Sequence, residues 1–139
     1  MEQSGRMHAA HLRVRFGETD AMGVANNAAY LQYFEIGRIE FLRAAGHSYA
    51  VVHDGGMDMV VAEAGIRYLR PLWFDDEFVV ECVLAELGRA SFTFRYRLLR
   101  SNELVAEGFT RHACVERATM RAVRVPEWLT SLTSPSHDA

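Results

Sequence analysis

Apolar and polar residues alternate in several segments, and this pattern predicts a protein built largely from β-strands. The first alternating segment runs from His11 to Phe16 and puts Leu12, Val14 and Phe16 on one face. Further strands are predicted at residues 59–69, 78–84, 92–98 and 103–116, with a short last strand at 122–125 and a closing segment at 126–129.

One segment, from about Asn27 to Ala45, has the period of a helix instead. Seven residues share one arc of this helix: Tyr30, Tyr33, Phe34, Gly37, Phe41, Ala44 and Ala45. Gly46 is well placed to end it. Glycine costs about 1 kcal/mol relative to alanine inside a helix, so Gly37 on the apolar arc predicts a close approach between helix and sheet.

The order β-α-β-β-β-β predicts an α+β fold in which one curved antiparallel sheet wraps around one long helix. Residues 47–56 are expected to form a loop. A sheet with one helix leaves edges that need cover, which favours a homodimer or homotetramer. Ile36 and Ile39 lie on the otherwise polar side of the helix, which fits burial by a second subunit or equally well two isolated surface residues.

Size and composition indicate a single domain over residues 1–139, with a core at about 10–129 and a mobile polar C-terminal tail. The net charge of −3 argues against general nucleic-acid binding. No membrane span or signal sequence is evident, and a cytoplasmic location is expected. Cys82 and Cys114 lie in strand-like segments, where buried reduced thiols are favoured although a Cys82–Cys114 disulfide stays open.

The segment between the first strand and the helix carries the most suggestive chemistry. Asp20 lies on a glycine-containing turn just before the helix N-terminus, where unpaired N–H groups carry partial positive charge. A carboxylate beside such donors could attack a carbonyl while the donors polarise it. On the residues alone, however, an aspartate here more often caps or bends the backbone. Glu18 is expected at the strand end in solvent.

Other familiar sites are absent from the sequence. It has no G-x-S-x-G elbow, P-loop, G-x-G-x-x-G segment or C-x-x-C pair. His8 and His11 are expected in a frayed N-terminal segment, and His112 in a strand as a structural residue. Neither a metal ion nor an organic cofactor is predicted.

Motifs at four places match one family. They are Glu18-Thr19-Asp20-Ala21-Met22-Gly23 with Asn26-Asn27-Ala28-Ala29-Tyr30, then Tyr68-Leu69-Arg70-Pro71 with Asp76-Glu77, then Leu87-Gly88-Arg89-Ala90-Ser91-Phe92, and Ala106-Glu107-Gly108. In this order they resemble the hotdog-fold thioesterases of the 4-hydroxybenzoyl-CoA thioesterase type. The resemblance spans roughly residues 10–129 and favours a catalytic role for Asp20.

The resemblance implies an acyl-CoA thioesterase in which Asp20 attacks the thioester carbonyl or activates a water. It places the oxyanion contact at the backbone N–H of Asn27. Substrate-binding positions follow in the same way: Gly23 for close chain approach, Tyr30 near the acyl pocket, and Arg89 with Ser91 in the segment that would hold the nucleotide of coenzyme A.

The chain departs from the family pattern in its loop. Relatives often carry a histidine where this sequence has Val24 or Asn27, so Asp20 would act with backbone donors and water. Two other functions stay open: a non-catalytic module that binds acyl-CoA, and a hydratase or dehydratase, which would need a histidine paired with an acid. The acyl group, and coenzyme A against acyl carrier protein, are undetermined.

Overall fold

The computed structural model describes residues 6–133, so the predicted mobile end of the tail lies largely outside the described residues. The strands are β1 (Met7–Arg13), β2 (Met57–Tyr68), β3 (Glu77–Leu87), β4 (Ser91–Arg100), β5 (Glu103–Glu116) and the short β6 (Arg121–Ala122). The helices are α1 (Asn27–Ala44), α2 (Tyr49–Asp54) and α3 (Glu127–Thr130), with a 3-10 helix at Phe16–Glu18.

The strands form one antiparallel sheet in the order β1-β3-β4-β5-β2, and β6 adds to β5. Register shifts interrupt the pairing at Val61/Glu63, Leu84/Glu86 and Leu98/Leu99. Such irregularities increase the local twist and help a sheet curve. The predicted α+β fold, one curved antiparallel sheet around one long helix, is confirmed.

Helix α1 packs its aromatic arc onto the inner face of the sheet. Phe34 stacks on Tyr96 with ring centroids 4.2 Å apart, and Phe41 meets Phe94 edge-on. A Cβ added at Gly37 would lie 2.7 Å from Cγ1 of Val80 on β3. The glycine is therefore required by close approach of the helix to the sheet, as predicted.

The N-terminal predictions need correction. The first strand ends at Arg13, where its pairing with β3 stops, rather than at Phe16. Phe16 is 77% exposed because the chain leaves the sheet and turns into the 3-10 helix. His8 and His11 are not in a frayed segment, since they pair with Cys82 and Val79 within β1 and β3.

Two smaller differences follow from tertiary contacts, in the segment 47–56 and in the last strand. The expected loop at 47–56 contains the short helix α2. The last strand covers only Arg121–Ala122, because Val125 turns aside and donates its N–H to Arg89 O at 2.9 Å. Cys82 and Cys114 are both buried free thiols. No helix in the described part of the chain is long and apolar enough to cross a membrane.

Candidate active site

The segment between the 3-10 helix and α1 folds into a tight turn that carries Asp20. The Asp20 N–H donates to Val24 O at 2.9 Å, and the Gly23 N–H donates back to Asp20 O at 3.0 Å. Gly23 has φ +84°, a left-handed conformation that glycine adopts without steric cost. Glycine at this position therefore follows from the backbone of the turn itself.

The Asp20 side chain is exposed and oriented by its own turn. Its Oδ1 accepts hydrogen bonds from the Met22 N–H at 2.8 Å and, more weakly, from the Val24 N–H at 3.4 Å. Among residues 6–133 no donor bonds to the other carboxylate oxygen, Oδ2. The turn thus holds the carboxyl group in place through one oxygen and leaves the second without a donor among the described residues.

Helix α1 starts immediately beside this turn. Asn26 is the N-cap, and its Oδ1 accepts the Ala29 N–H at 3.0 Å. The Asn26 N–H donates to Glu18 O at 2.8 Å, which closes the base of the turn against the helix. Asn27, the first helical residue, has no carbonyl one turn earlier in the helix to accept its N–H. Its N–H lies at the positive end of the helix dipole.

The segment between β2 and β3 braces the turn from outside. The Ala25 N–H donates to Leu72 O at 2.7 Å, and the Phe74 N–H donates to Gly23 O at 2.9 Å. Asp76 fixes this segment, because its carboxylate accepts the Trp73 N–H at 2.8 Å and pairs with Arg100. The Asp20 turn is therefore held by hydrogen bonds at its base and along its side.

Asp75 has φ +72°, a left-handed conformation that aspartate adopts more readily than most residues, so the Asp75-Asp76 pair forms a turn before β3. Its carboxylate also accepts a hydrogen bond from Arg13 at 3.2 Å.

Glu18 does not lie in solvent as expected. Its side chain is 11% exposed, and it accepts hydrogen bonds from Tyr33 Oη at 2.8 Å and from the N–H and Nε of Arg15. Burial raises the pKa of this carboxyl, but the hydrogen bonds from Arg15 and Tyr33 outweigh it and leave the pKa below its usual value. The chain folds back after Arg13 and brings Glu18 to Tyr33. The alternation of apolar and polar residues along the sequence does not predict this contact.

Two tyrosines lie next to the helix start. Tyr30 is buried, which raises the pKa of its hydroxyl, and its ring meets Tyr68 edge-on at 4.9 Å. Tyr68 is half-exposed at the end of β2 and donates its hydroxyl to Asn27 O at 3.4 Å. The sequence did not identify Tyr68 as a site residue, although it belongs to the Tyr-Leu-Arg-Pro motif.

The remaining predicted site residues lie elsewhere in the chain. Arg89 is exposed in the turn after β3, and Ser91 begins β4. The Asp20 turn is braced by residues that precede β3, whose 11 residues span roughly 35 Å. A single chain therefore brings together Asp20, Gly23, Asn27 and Tyr30 but not Arg89 or Ser91. Across residues 6–133 no group of three or more His, Cys, Asp or Glu side chains could hold a metal ion.

Solved structures share this fold. A protein from Thermus thermophilus aligns over 91% of this chain and 98% of its own with a TM-score of 0.85 and 38% identity. One from Aquifex aeolicus gives the same TM-score at 36% identity, covering 90% of this chain and 98% of its own. The fold places the chain in the hotdog class.

The chain belongs to the thioesterase-like superfamily, whose family model matches residues 14–132. Among curated proteins it is 31% identical over 117 residues to the acyl-CoA thioesterase YbgC of Haemophilus influenzae, covering 84% of this chain and 86% of that protein. The family resemblance, the fold and the enzyme class predicted from the sequence are thereby confirmed.

Proposed function

We propose that this protein hydrolyses an acyl- or aroyl-coenzyme A to the free acid and coenzyme A, with Asp20 as the catalytic carboxylate. The observation that carries the proposal is the Asp20 turn itself. Asp20 Oδ1 is held by backbone N–H groups, Oδ2 has no donor among the described residues, and the turn is hydrogen-bonded to the residues that begin α1. A carboxylate oriented in this way needs no reorganisation before it reacts.

Two routes fit this site. In the first, Asp20 attacks the thioester carbon, the C–S bond breaks to release the thiolate, and water then hydrolyses the acyl–aspartyl anhydride. In the second, Asp20 takes a proton from water as the water attacks the same carbon. In both, negative charge develops on the carbonyl oxygen, and the Asn27 N–H at the start of α1 would stabilise it.

The loop that carries Asp20 contains no histidine, but thioester hydrolysis does not require one as a proton donor. The leaving group is a thiolate, and a cysteine thiol has a pKa of only about 8.5, so departure without a dedicated acid is far easier than for an alkoxide. A hydratase or dehydratase, by contrast, must move a proton to or from carbon. The absence of histidine from this loop favours hydrolysis over that alternative.

We assign substrate contacts to Gly23, Tyr30, Arg89 and Ser91. Because Arg89 and Ser91 lie at the far end of β3, we infer that they act on a substrate bound at the Asp20 turn of another subunit. The 12-residue edge strand β2 supports a homodimer or homotetramer, because Val61 and Tyr68 on it are half-exposed and an unpaired edge invites pairing with a second copy.

We further infer one hotdog domain over residues 1–139 and a cytoplasmic enzyme that needs no metal or organic cofactor. The acyl chain is held by coenzyme A or acyl carrier protein; coenzyme A is the first choice because Arg89 is an exposed cation suited to phosphate.

The test is release of free thiol from short, long and aromatic acyl-CoA esters by the wild type and by Asp20→Asn. Asparagine keeps an Oδ1 that accepts the Met22 N–H, so the turn should survive while the second carboxylate oxygen is lost. We expect kcat/KM to fall by about 10²–10⁴-fold. Asp54→Asn, an exposed aspartate at the end of α2, is the matched control and should leave activity unchanged.

Three outcomes separate the alternatives. Full activity in Asp20→Asn, with an unchanged melting temperature, contradicts the role of Asp20. Saturable binding of acyl-CoA without thiol release from any ester indicates the non-catalytic module. Hydration of an enoyl-CoA without thiol release indicates the hydratase.

A further inference from the structure

Glu18 joins the Asp20 turn to helix α1 at two separate points. Its backbone carbonyl accepts the Asn26 N–H at 2.8 Å, at the N-cap of the helix. Its side-chain Oε1 accepts the hydroxyl of Tyr33 at 2.8 Å. Tyr33 lies six residues beyond Asn27, about 9 Å along the helix axis, and helical side chains lean back toward the N-terminus. Two attachments spaced along the helix fix the angle between turn and helix as well as their separation.

The Tyr33 end of this connection is fixed by the core. Tyr33 is 1% exposed, and its ring packs edge-on against Phe78 of β3 and against Tyr30, with ring centroids 4.8 Å and 5.7 Å away. In a close-packed interior a ring cannot change rotamer without displacing its neighbours. The hydroxyl is therefore held at one place beside the turn.

The Glu18 end is a carboxylate that is shielded from solvent and bonded through both oxygens. Oε1 accepts the Arg15 N–H at 2.9 Å as well as the Tyr33 hydroxyl. Oε2 accepts a hydrogen bond from Arg15 Nε at 3.0 Å, but that arginine side chain is 78% exposed, and an exposed ion pair contributes little. Hydrogen bonds to an ionised carboxylate are stronger than those between neutral groups. The two bonds to Oε1 therefore provide most of the constraint.

This connection spans the two parts of the proposed catalytic site. Asp20 lies two residues beyond Glu18 on the turn, whereas the Asn27 N–H belongs to the first residue of α1. In either route to hydrolysis the attacking oxygen must lie about 3–3.5 Å from the thioester carbon while the carbonyl oxygen meets its N–H donor. A displacement of about 1 Å can lower the rate by about 100-fold. The placement of the turn relative to the helix therefore affects the rate directly.

We propose that Glu18 and Tyr33 are positioning residues, and that their hydrogen bond sets the place of Asp20 relative to the Asn27 N–H. This role rests on the proposed function, because it has a consequence for rate only if Asp20 is catalytic. Glu18 does not itself react, because donors occupy both of its oxygens. It serves as a hydrogen-bond acceptor, so an uncharged acceptor of the same shape can replace it.

Tyr33→Phe tests the hydrogen bond with the smallest change, since it removes the hydroxyl and keeps the packed ring. With the acyl-CoA ester that the wild type hydrolyses fastest, we expect kcat to fall by about 10–100-fold while KM changes less than about twofold. Tyr96→Phe is the matched control. It removes another buried tyrosine hydroxyl, one bonded to Thr110 of β5, and should lower the melting temperature without lowering kcat.

Glu18→Gln separates positioning from direct participation in the reaction. Glutamine keeps an oxygen that accepts from Tyr33 and Arg15 but carries no charge, so kcat should stay within about threefold of the wild type. Glu18→Ala removes the acceptor and should lose as much activity as Tyr33→Phe. If Tyr33→Phe does not fold, the Glu18→Gln and Glu18→Ala pair makes the same comparison.

Hydrogen exchange of the Asn26 amide, followed by NMR, reports the connection without any reaction. This N–H donates to Glu18 O at the base of the turn. Beyond any change shared by the core strands, it should exchange at least about fivefold faster in Tyr33→Phe and Glu18→Ala. Glu18→Gln and Tyr96→Phe should leave its exchange rate unchanged.

Three results would overturn the positioning role. They are a Tyr33→Phe enzyme with full kcat, a Glu18→Gln enzyme as impaired as Glu18→Ala, and a loss of kcat in Tyr33→Phe without faster exchange at Asn26. Failure of the proposed function is distinguishable from these. A fully active Asp20→Asn rejects the proposed function, whereas an impaired Asp20→Asn beside a fully active Tyr33→Phe rejects the positioning role alone.

Discussion

The substitution Gly108→Ala tests how the sheet and the helix meet beneath the candidate site. Gly108 belongs to the Ala-Glu-Gly motif and lies in β5 opposite Ile66 of β2. A Cβ at this position would lie 2.3 Å from Gly65 O and 2.8 Å from two ring carbons of Phe34. Non-bonded atoms do not approach this closely. The strands must separate, or Phe34 must leave its stack on Tyr96.

The size of the effect follows from two opposing contributions. Replacing glycine by alanine in a strand interior gains about 0.5–1 kcal/mol from reduced backbone entropy in the unfolded chain. Overpacking a filled core costs about 1–3 kcal/mol, and a backbone carbonyl cannot rotate away as a side chain can. We therefore expect a net loss of about 1–2 kcal/mol, or a fall of about 0.5–1 M in the urea midpoint.

Equilibrium urea unfolding at one fixed protomer concentration measures this loss, since association would otherwise shift the midpoint. Gly17→Ala is the matched control, because a Cβ there meets nothing within 4 Å, and its midpoint should equal or exceed that of the wild type. A Gly108→Ala protein as stable as the wild type, or a Gly17→Ala protein that loses as much, would refute the close-packing explanation.

Two predictions concern pH. Tyr33→Phe removes a donor to the Glu18 carboxylate and should raise the lowered pKa of Glu18 toward its usual value, as measured by carbon NMR titration. Because a lowered carboxyl pKa stabilises the fold above the unfolded pKa, the stability lost in Tyr33→Phe should be largest near neutral pH and vanish in acid. An unchanged Glu18 pKa would contradict this. Burial and the nearby Arg38 charge lower the pKa of His112 to about 4, and Nδ1 lies 3.4 Å from Met59 O, which can only accept, so nitrogen NMR at pH 6 should show a neutral ring protonated on Nδ1. Between about pH 4 and 6.5 the unfolded chain therefore binds a proton at His112 that the folded chain does not. The free energy of unfolding should rise with pH over this range, and His112→Gln should flatten that rise.

Strong local patterns made parts of the fold predictable. The helix was predicted at about residues 27–45 and is observed at Asn27–Ala44, because its apolar arc is long and Gly46 ends it. The strand predicted at 103–116 matches β5. The helical period of the first segment and the β-rich composition of the second are local signals, so both elements could be located without tertiary information.

Prediction was weaker where the chain leaves the sheet. Phe16 continues the alternation of the first strand, but the backbone has already turned into a 3-10 helix. Nothing in a residue pattern states that β1 loses its partner after Arg13. The same local turn brings Glu18 to Tyr33, fifteen residues away in the sequence, and this contact exists only once α1 packs beside it.

The sequence by itself determined the order of elements, the long helix with Gly37 on its packed face, and a carboxylate on a turn before that helix. These features depend on neighbours within a few residues, and local propensity and periodicity report them. Only the tertiary structure decided which groups surround Asp20, that Glu18 accepts a hydrogen bond from Tyr33, and that Arg89 and Ser91 lie at the other end of β3 from the Asp20 turn. Those relations join segments dozens of residues apart, and the physical reason is that packing, rather than sequence spacing, sets the distances between them.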